Sequence, residues 1–190
     1  MRVAVVDVGT NSVRLLIADR RGTRLVEAVR DLQITRLGEN VDRTHALGDG
    51  PRARTVRAVA EFVRRARAAG ADAIRVIATS AVRDAGNRDA FLDAVRAESD
   101  VVPEVLSGED EARLGFLGAT MEIPAPAPYL VVDIGGGSTE FVRGSHVADR
   151  FISVDMGSVR LTERHIRSDP PSAEMIRAVR ADADACIDEA

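Results

Sequence analysis

A chain of 190 residues, 45% hydrophobic and 29% charged, has the balance of a globular protein long enough to bury a core. Its net charge of −4 leaves no electrostatic footprint for nucleic acid or a membrane surface, and no apolar run approaches the ~20 residues that span a bilayer. Lys is absent and the cationic side chains are Arg, so a Walker-type P-loop, which needs Lys, is excluded; 3% aromatics and no Trp argue against a base-stacking platform for single-stranded nucleic acid.

The same composition predicts a core of Val, Leu, Ile and Ala. Cys186, the single cysteine, forms no internal disulfide, and the apolar run after Met1 is too short for a signal peptide. Both point to the cytoplasm.

In chain order, the β-branched run Val3 to Val6 predicts a strand, Gly9-Thr10-Asn11-Ser12 a turn, and Val13 to Ala18 a second strand. Leu25 to Ile34 alternates as a third. The stretch 38–50 has no period and reads as a loop. Pro51 suits the first turn of a helix in which Val56, Val59, Ala60, Val63 and Ala66 recur at helical spacing, with Gly70 as its stop. Residues 72–79 form a short buried strand, and Asn87 is placed to cap a helix carrying Phe91, Leu92 and Val95.

A short strand over 101–106 and a helix over 109–120 follow, the helix with acids in its first turn, where the macrodipole favours them. The Pro-rich stretch 124–128 is the one linker-like segment. It divides a first lobe, 1–123, from the start of a second, 129–190. Beyond it, strands are expected over 129–134, 139–142 and 147–154. Helices are expected over 157–166 and from Pro171-Ser172 onward, the last with no stop signal before Ala190.

Two segments repeat. Val5-Val6-Asp7-Val8-Gly9-Thr10-Asn11-Ser12 aligns with Val131-Val132-Asp133-Ile134-Gly135-Gly136-Gly137-Ser138, identical at five of eight positions. Each has the form strand, Asp, Gly-rich turn, strand. One account is coincidence. The other is two related lobes facing each other across a cleft, each turn offering backbone N–H groups to an anion. No Gly-x-Gly-x-x-Gly is present, and the turns join strand to strand, so this is not a dinucleotide fingerprint.

Asp7 and Asp133 each end an apolar strand, where a carboxylate must be hydrogen-bonded, paired or metal-bound. Each either ties down its own turn or binds Mg²⁺. Glu140 reaches the same ion as Asp133 if the two flanking strands pair as a hairpin. Thr10, Asn11, Ser12, Ser138 and Thr139 are turn formers that also carry donors for phosphate. Arg83, placed at a strand end, either forks onto a phosphate or pairs with Asp84 or Asp89. Glu109, Asp110 and Glu111 are consecutive acids, of which at most one faces a cleft and acts as general base; periodicity does not choose among them. His45, His146 and His165 show no metal-ligand spacing and read as surface residues.

Taken together, Val6 to Leu16, Thr79 to Asn87, Ser107 to Leu114, Val132 to Glu140 and Met156 to Glu163 resemble the exopolyphosphatase / guanosine pentaphosphate phosphohydrolase (Ppx/GppA) phosphatase family over nearly the whole chain. The all-Arg composition and Ser168-Asp169-Pro170-Pro171 look actinobacterial. The resemblance implies an α/β fold of the actin-like ATPase (ribonuclease H-like) type, with duplicated lobes, mixed β-sheets and the active site between them. It implies Glu111 as catalytic base, Asp133 and Glu140 as Mg²⁺-associated carboxylates with Asp7 a further candidate, and Asn11, Arg83, Gly136, Gly137 and Ser138 at phosphate-contacting positions, with Thr10 and Ser12 beside them. The implied substrate is inorganic polyphosphate or guanosine pentaphosphate, not nucleic acid or membrane; oligomeric state is open, a homodimer included. Asp110 stands where the family commonly has Glu. The family's second lobe runs past residue 190, so an incomplete second lobe is expected. A small-molecule kinase on the same fold and a non-catalytic polyphosphate or guanosine tetraphosphate sensor are the rival functions.

Overall fold

Ala4, Val6 and Val8 alternate with Val5 and Asp7, and this period-two pattern makes Arg2–Val8 (β1) a strand with one buried face. Ser12–Arg21 (β2) runs antiparallel to it, so Val13, Leu15 and Ile17 stand opposite Val8, Val6 and Ala4 and share their face. Arg24–Ile34 (β3) forms the edge. It is mostly exposed and carries Arg24, Glu27, Arg30 and Asp31, charges that discourage further strand pairing. The computed structural model describes residues 1–22, 24–123 and 126–188.

The stretch expected as a loop holds a one-turn helix, Val41–Thr44 (α1), between Asn40 and His45, both left-handed at φ 62 and 52. Its apolar anchors Leu37, Val41 and Leu47 are buried but too widely spaced to show a period. Asp49–Ala68 (α2) has Pro51 in its first turn and buries Thr55, Ala58, Val59, Phe62, Val63 and Ala66 along one stripe. Ala73–Ala78 (β4) then pairs parallel with β1. Ser80–Arg83 (α3), Arg88–Ser99 (α4) and Glu104–Val105 (β5, parallel to β4) complete a mixed sheet of order β3-β2-β1-β4-β5. The strand expected over 101–106 pairs only at its end, where Pro103, with no N–H to give a ladder, has been passed.

Asn87 stands at the N-cap of α4, as expected, but its side chain makes no cap hydrogen bond. Its side chain reaches across to Leu47 instead, accepting from the Leu47 N–H at 2.8 Å and donating to its carbonyl at 3.0 Å. The aliphatic core expected from composition has an aromatic centre, since Phe62 and Phe91 are fully buried among its Val and Leu residues. Few aromatics in the chain do not mean few in the core.

A second sheet follows. Gly108–Thr120 (α5) leads to Tyr129–Ile134 (β6), Thr139–Gly144 (β7) and Ala148–Val154 (β8), antiparallel in the order β6-β7-β8. Ala112 and Phe116 of α5 bury against Val142, with Tyr129, Val131 and Ala148 around them. The Phe116 and Tyr129 rings meet tilted, 6.4 Å apart. On the other face Leu130, Val132 and Ile134 are exposed.

Ser158–His165 (α6) and Ala173–Asp188 (α7) end the described chain. They are joined by Asp182, whose Oδ2 lies 2.7 Å from His165 Nε2 and 3.4 Å from Arg164 Nη1. Those bonds, His165's first, hold the Asp182 carboxyl below the usual range. His165 is therefore half-buried in a pair, not the free surface residue its spacing implied.

The chain forms two compact units, Met1–Val105 and Leu106–Ala190. This differs from the break expected at 124–128, whose Pro124 and Ala125 lie outside the described residues. The reason is α5, whose apolar stripe is covered by β7 and β8. Among the described residues no helix is long and apolar enough to cross a membrane.

Candidate active site

In the first unit the β1–β2 turn is closed by the Gly9 N–H donating to the Ser12 carbonyl at 3.0 Å. Its other carbonyls are drawn back. Thr35 and Arg36 N–H groups donate to Asn11 O at 3.1 and 2.9 Å, and Gly38 N–H to Thr10 O at 2.8 Å. The Thr10, Asn11 and Ser12 N–H groups have no acceptor among the described hydrogen bonds. Successive backbone N–H groups without carbonyl partners form an anion-binding concavity.

The second unit repeats the device. Gly135 N–H donates to Ser138 O at 2.9 Å. The start of α6 then takes up the carbonyls: Ser158 N–H donates to Gly135 O at 3.0 Å, and Val159 and Arg160 N–H to Gly136 O at 2.9 and 3.1 Å. Gly136, Gly137 and Ser138 N–H groups have no described acceptor. Ser138 and Thr139 are buried, and Thr139 Oγ1 donates to Met156 O at 2.6 Å, fixing the strand end to the segment before α6.

Gly157 lets α6 come this close. A Cβ there would overlap the Gly136 carbonyl and lie 2.6 Å from Gly137 N, against backbone that cannot swing aside. Gly157→Ala is expected to displace α6 from the turn, destabilising the second unit by about 1–3 kcal/mol, as overpacking does. Urea denaturation with hydrogen exchange at Gly136 and Gly137 checks this. An unchanged midpoint with unchanged exchange refutes it.

The register of the second sheet places Asp133 opposite Glu140 and Glu140 opposite Ser153. Directly paired residues share a face, so the three form one cross-strand row. Glu140 is 3% exposed, and Ser153 Oγ donates to its Oε1 at 2.8 Å. A buried carboxylate needs such partners. The hairpin condition for Asp133 and Glu140 to serve one ion is thus met by the β6–β7 pairing.

Helix α5 lies over this row. A Cβ at Gly108 would touch Ser153 at 3.5 Å, and one at Gly115 would lie 3.9 Å from Asp133 Oδ2. Glu111 falls between them at helical spacing, on the same face of α5. The neighbouring acids serve elsewhere. Asp110 forms the cap with Ser107, whose Oγ accepts its N–H at 3.0 Å and donates to its Oδ2 at 2.8 Å, while Glu109 pairs with Arg113 at 3.8 Å. Of the three acids, Glu111 is the one whose position in α5 falls between Gly108 and Gly115, above the row.

The first unit differs in charge. Asp7 stands opposite Arg14, whose Nη1 lies 3.9 Å from Asp7 Oδ2. Where one repeat has two facing carboxylates, the other has a carboxylate and a cation. Asp7 and Arg14 also line an open groove of about 440 Å³ with Val5, Leu16, Arg30 and Leu32. Arg83 ends α3, one turn beyond β4, and not the strand itself. Asn11 is exposed at its turn.

Ser153, Gly157 and Arg160 were given no role by sequence reasoning. Ser153 enters through strand register, which no motif records. Gly157 and Arg160 stand in a segment quoted for resemblance alone.

The donor set suits a hard cation. Asp133 and Glu140 offer carboxylate oxygens, and no group of three or more His, Cys, Asp or Glu gathers among the described residues. Mg²⁺ fits such a pair, since it keeps several waters and takes phosphate oxygens to fill its octahedron.

A strand–Asp–Gly turn–strand repeated in two units, each turn tied back by the chain after its third strand, is the actin-like ATPase fold. The profile of the Ppx/GppA phosphatase family matches residues 3–190, and the chain belongs to that family. It is 44% identical over 191 aligned residues to exopolyphosphatase 2 of Mycobacterium tuberculosis, covering 94% of this chain and 59% of that protein. The crystal structure of an exopolyphosphatase-like protein superposes with a TM-score of 0.94 at 44% identity, over 100% of this chain and 61% of that one. The Aquifex aeolicus PPX-GPPA enzyme matches with a TM-score of 0.80 at 33% identity, over 100% and 64% of the respective chains. The chain thus spans about three-fifths of the length of these relatives.

Proposed function

We propose that the chain carries the phosphate-binding and catalytic residues of an exopolyphosphatase, which removes the terminal phosphate of inorganic polyphosphate in the cytoplasm with Mg²⁺. The observation that carries this is the row Asp133, Glu140 and Ser153 under the face of α5 that bears Glu111, next to a turn with three unaccepted N–H groups. The names of the similar mycobacterial and structural relatives support the same substrate.

Phosphoryl transfer asks for positioning and charge stabilisation more than covalent chemistry. The N–H groups of Gly136, Gly137 and Ser138 hold the terminal phosphate oxygens, and the Thr10, Asn11 and Ser12 turn holds phosphate in the first unit. Arg83, in the same first unit, offers phosphate a forked cation. Mg²⁺, held by Asp133 and Glu140 when bound, would offset phosphate charge. Glu111 orients a water and takes its proton as the water attacks the terminal phosphorus. Asp7 already faces Arg14, so the metal assignment rests on Asp133 and Glu140.

The test is phosphate release from short polyphosphate, long polyphosphate and guanosine pentaphosphate, with and without Mg²⁺, on this chain and on a form extended to its relatives' length. Mg²⁺-dependent release from polyphosphate is expected. Release from guanosine pentaphosphate alone would move the substrate to that nucleotide, and tight binding without release from either form would make the protein a sensor.

A further inference from the structure

The two turns hold their outer carbonyls by different means. In the first unit Asn11 O accepts two backbone N–H groups, from Thr35 and Arg36. Its counterpart in the repeat is Gly137 O. That carbonyl accepts from a side chain, Arg160 Nε, at 2.7 Å. The Arg160 side chain is 10% exposed, and its Nη2 lies 3.5 Å from Asp155 Oδ1. Burying a guanidinium is costly unless its donors are used, and the Gly137 carbonyl uses one of them.

A peptide plane has its C=O and N–H on opposite sides. Drawing the Gly136 and Gly137 carbonyls onto α6 therefore turns the N–H groups of Gly137 and Ser138 away from α6. We infer that Arg160 is a positioning residue for anion binding: it fixes the Gly137 peptide so that the turn offers its N–H groups to the terminal phosphate of an inorganic polyphosphate. This deepens the proposed function and rests on the turn being a phosphate site. Backbone N–H groups of Thr35 and Arg36 do this work in the first unit, independently of their side chains. In the second, backbone holds the Gly135 and Gly136 carbonyls and the Arg160 side chain holds that of Gly137.

The experiment is an amide-resolved NMR titration of the 190-residue chain with inorganic tripolyphosphate, for wild type, Arg160→Ala and Arg160→Lys. Wild type is expected to show saturable shifts at Gly136, Gly137 and Ser138. Arg160→Ala is expected to alter the ligand-free Gly137 and Ser138 resonances and to weaken tripolyphosphate about tenfold, the scale of one lost charge-assisted bond. Arg160→Lys, which keeps the charge and a donor but not the fixed fork, is expected to recover part of both. If wild type responds but Arg160→Ala binds as well, or loses affinity with its ligand-free turn unchanged, the inference falls and the phosphate site stands. If the wild-type turn amides stay silent, the phosphate site falls and the inference with it.

Discussion

Glu111→Gln is expected to lower phosphate release by about 10²–10⁴-fold while leaving polyphosphate binding within roughly twofold. Gln keeps the length and packing of Glu and can still hydrogen-bond, but it accepts no proton at neutral pH. Its place between Gly108 and Gly115 on the inner face of α5 is set by helical spacing and does not depend on charge. The loss should therefore fall on turnover and not on affinity. Glu109→Gln is the control, because Glu109 pairs outward with Arg113 at 3.8 Å. Turnover is to be measured on the longest active form, with binding measured beside it. Near-normal turnover in Glu111→Gln removes that residue from the chemistry.

Phe116→Ala should be the most damaging single change to the second unit, costing about 3–5 kcal/mol. The reason is the size of the core it belongs to. Only Ala112, Phe116 and Val142 are fully buried there, with Tyr129, Val131 and Ala148 partly so, whereas the first unit has a far larger cluster around Phe62 and Phe91. Removing the second unit's one fully buried ring is expected to loosen α5 from β7, and with it the row below α5. Hydrogen exchange should show β6, β7 and β8 opening at lower urea than β1, β2 and β4. If both units keep wild-type protection, α5 is not held by this contact.

The repeated segment was the most informative part of the sequence, because strand alternation and a Gly-rich turn are local features. Asp7, Asp133 and both turns were legible in this way, as were α2 from its spacing and α5 from the acids in its first turn. What was not legible is whatever depends on partners distant in sequence. Asn87 looked like a cap, but its amide is used across forty positions of chain on Leu47. The helix α5 was legible but not the sheet that covers it, and the boundary was placed by composition in the Pro-rich stretch. Ser153 became part of the site only through the β7–β8 register. Spacing alone did not separate Glu111 from Glu109 and Asp110, whose partners Arg113 and Ser107 show only in the structure.

Tyr129 is the only tyrosine and the chain has no tryptophan. Its ring lies against Phe116, where β6 meets α5. Almost all the intrinsic fluorescence of this protein thus comes from one seam, and a change in tyrosine emission during a titration reports on that seam alone. The same scarcity makes the chain nearly transparent in the near ultraviolet, so its concentration is better taken from peptide absorbance or amino-acid analysis.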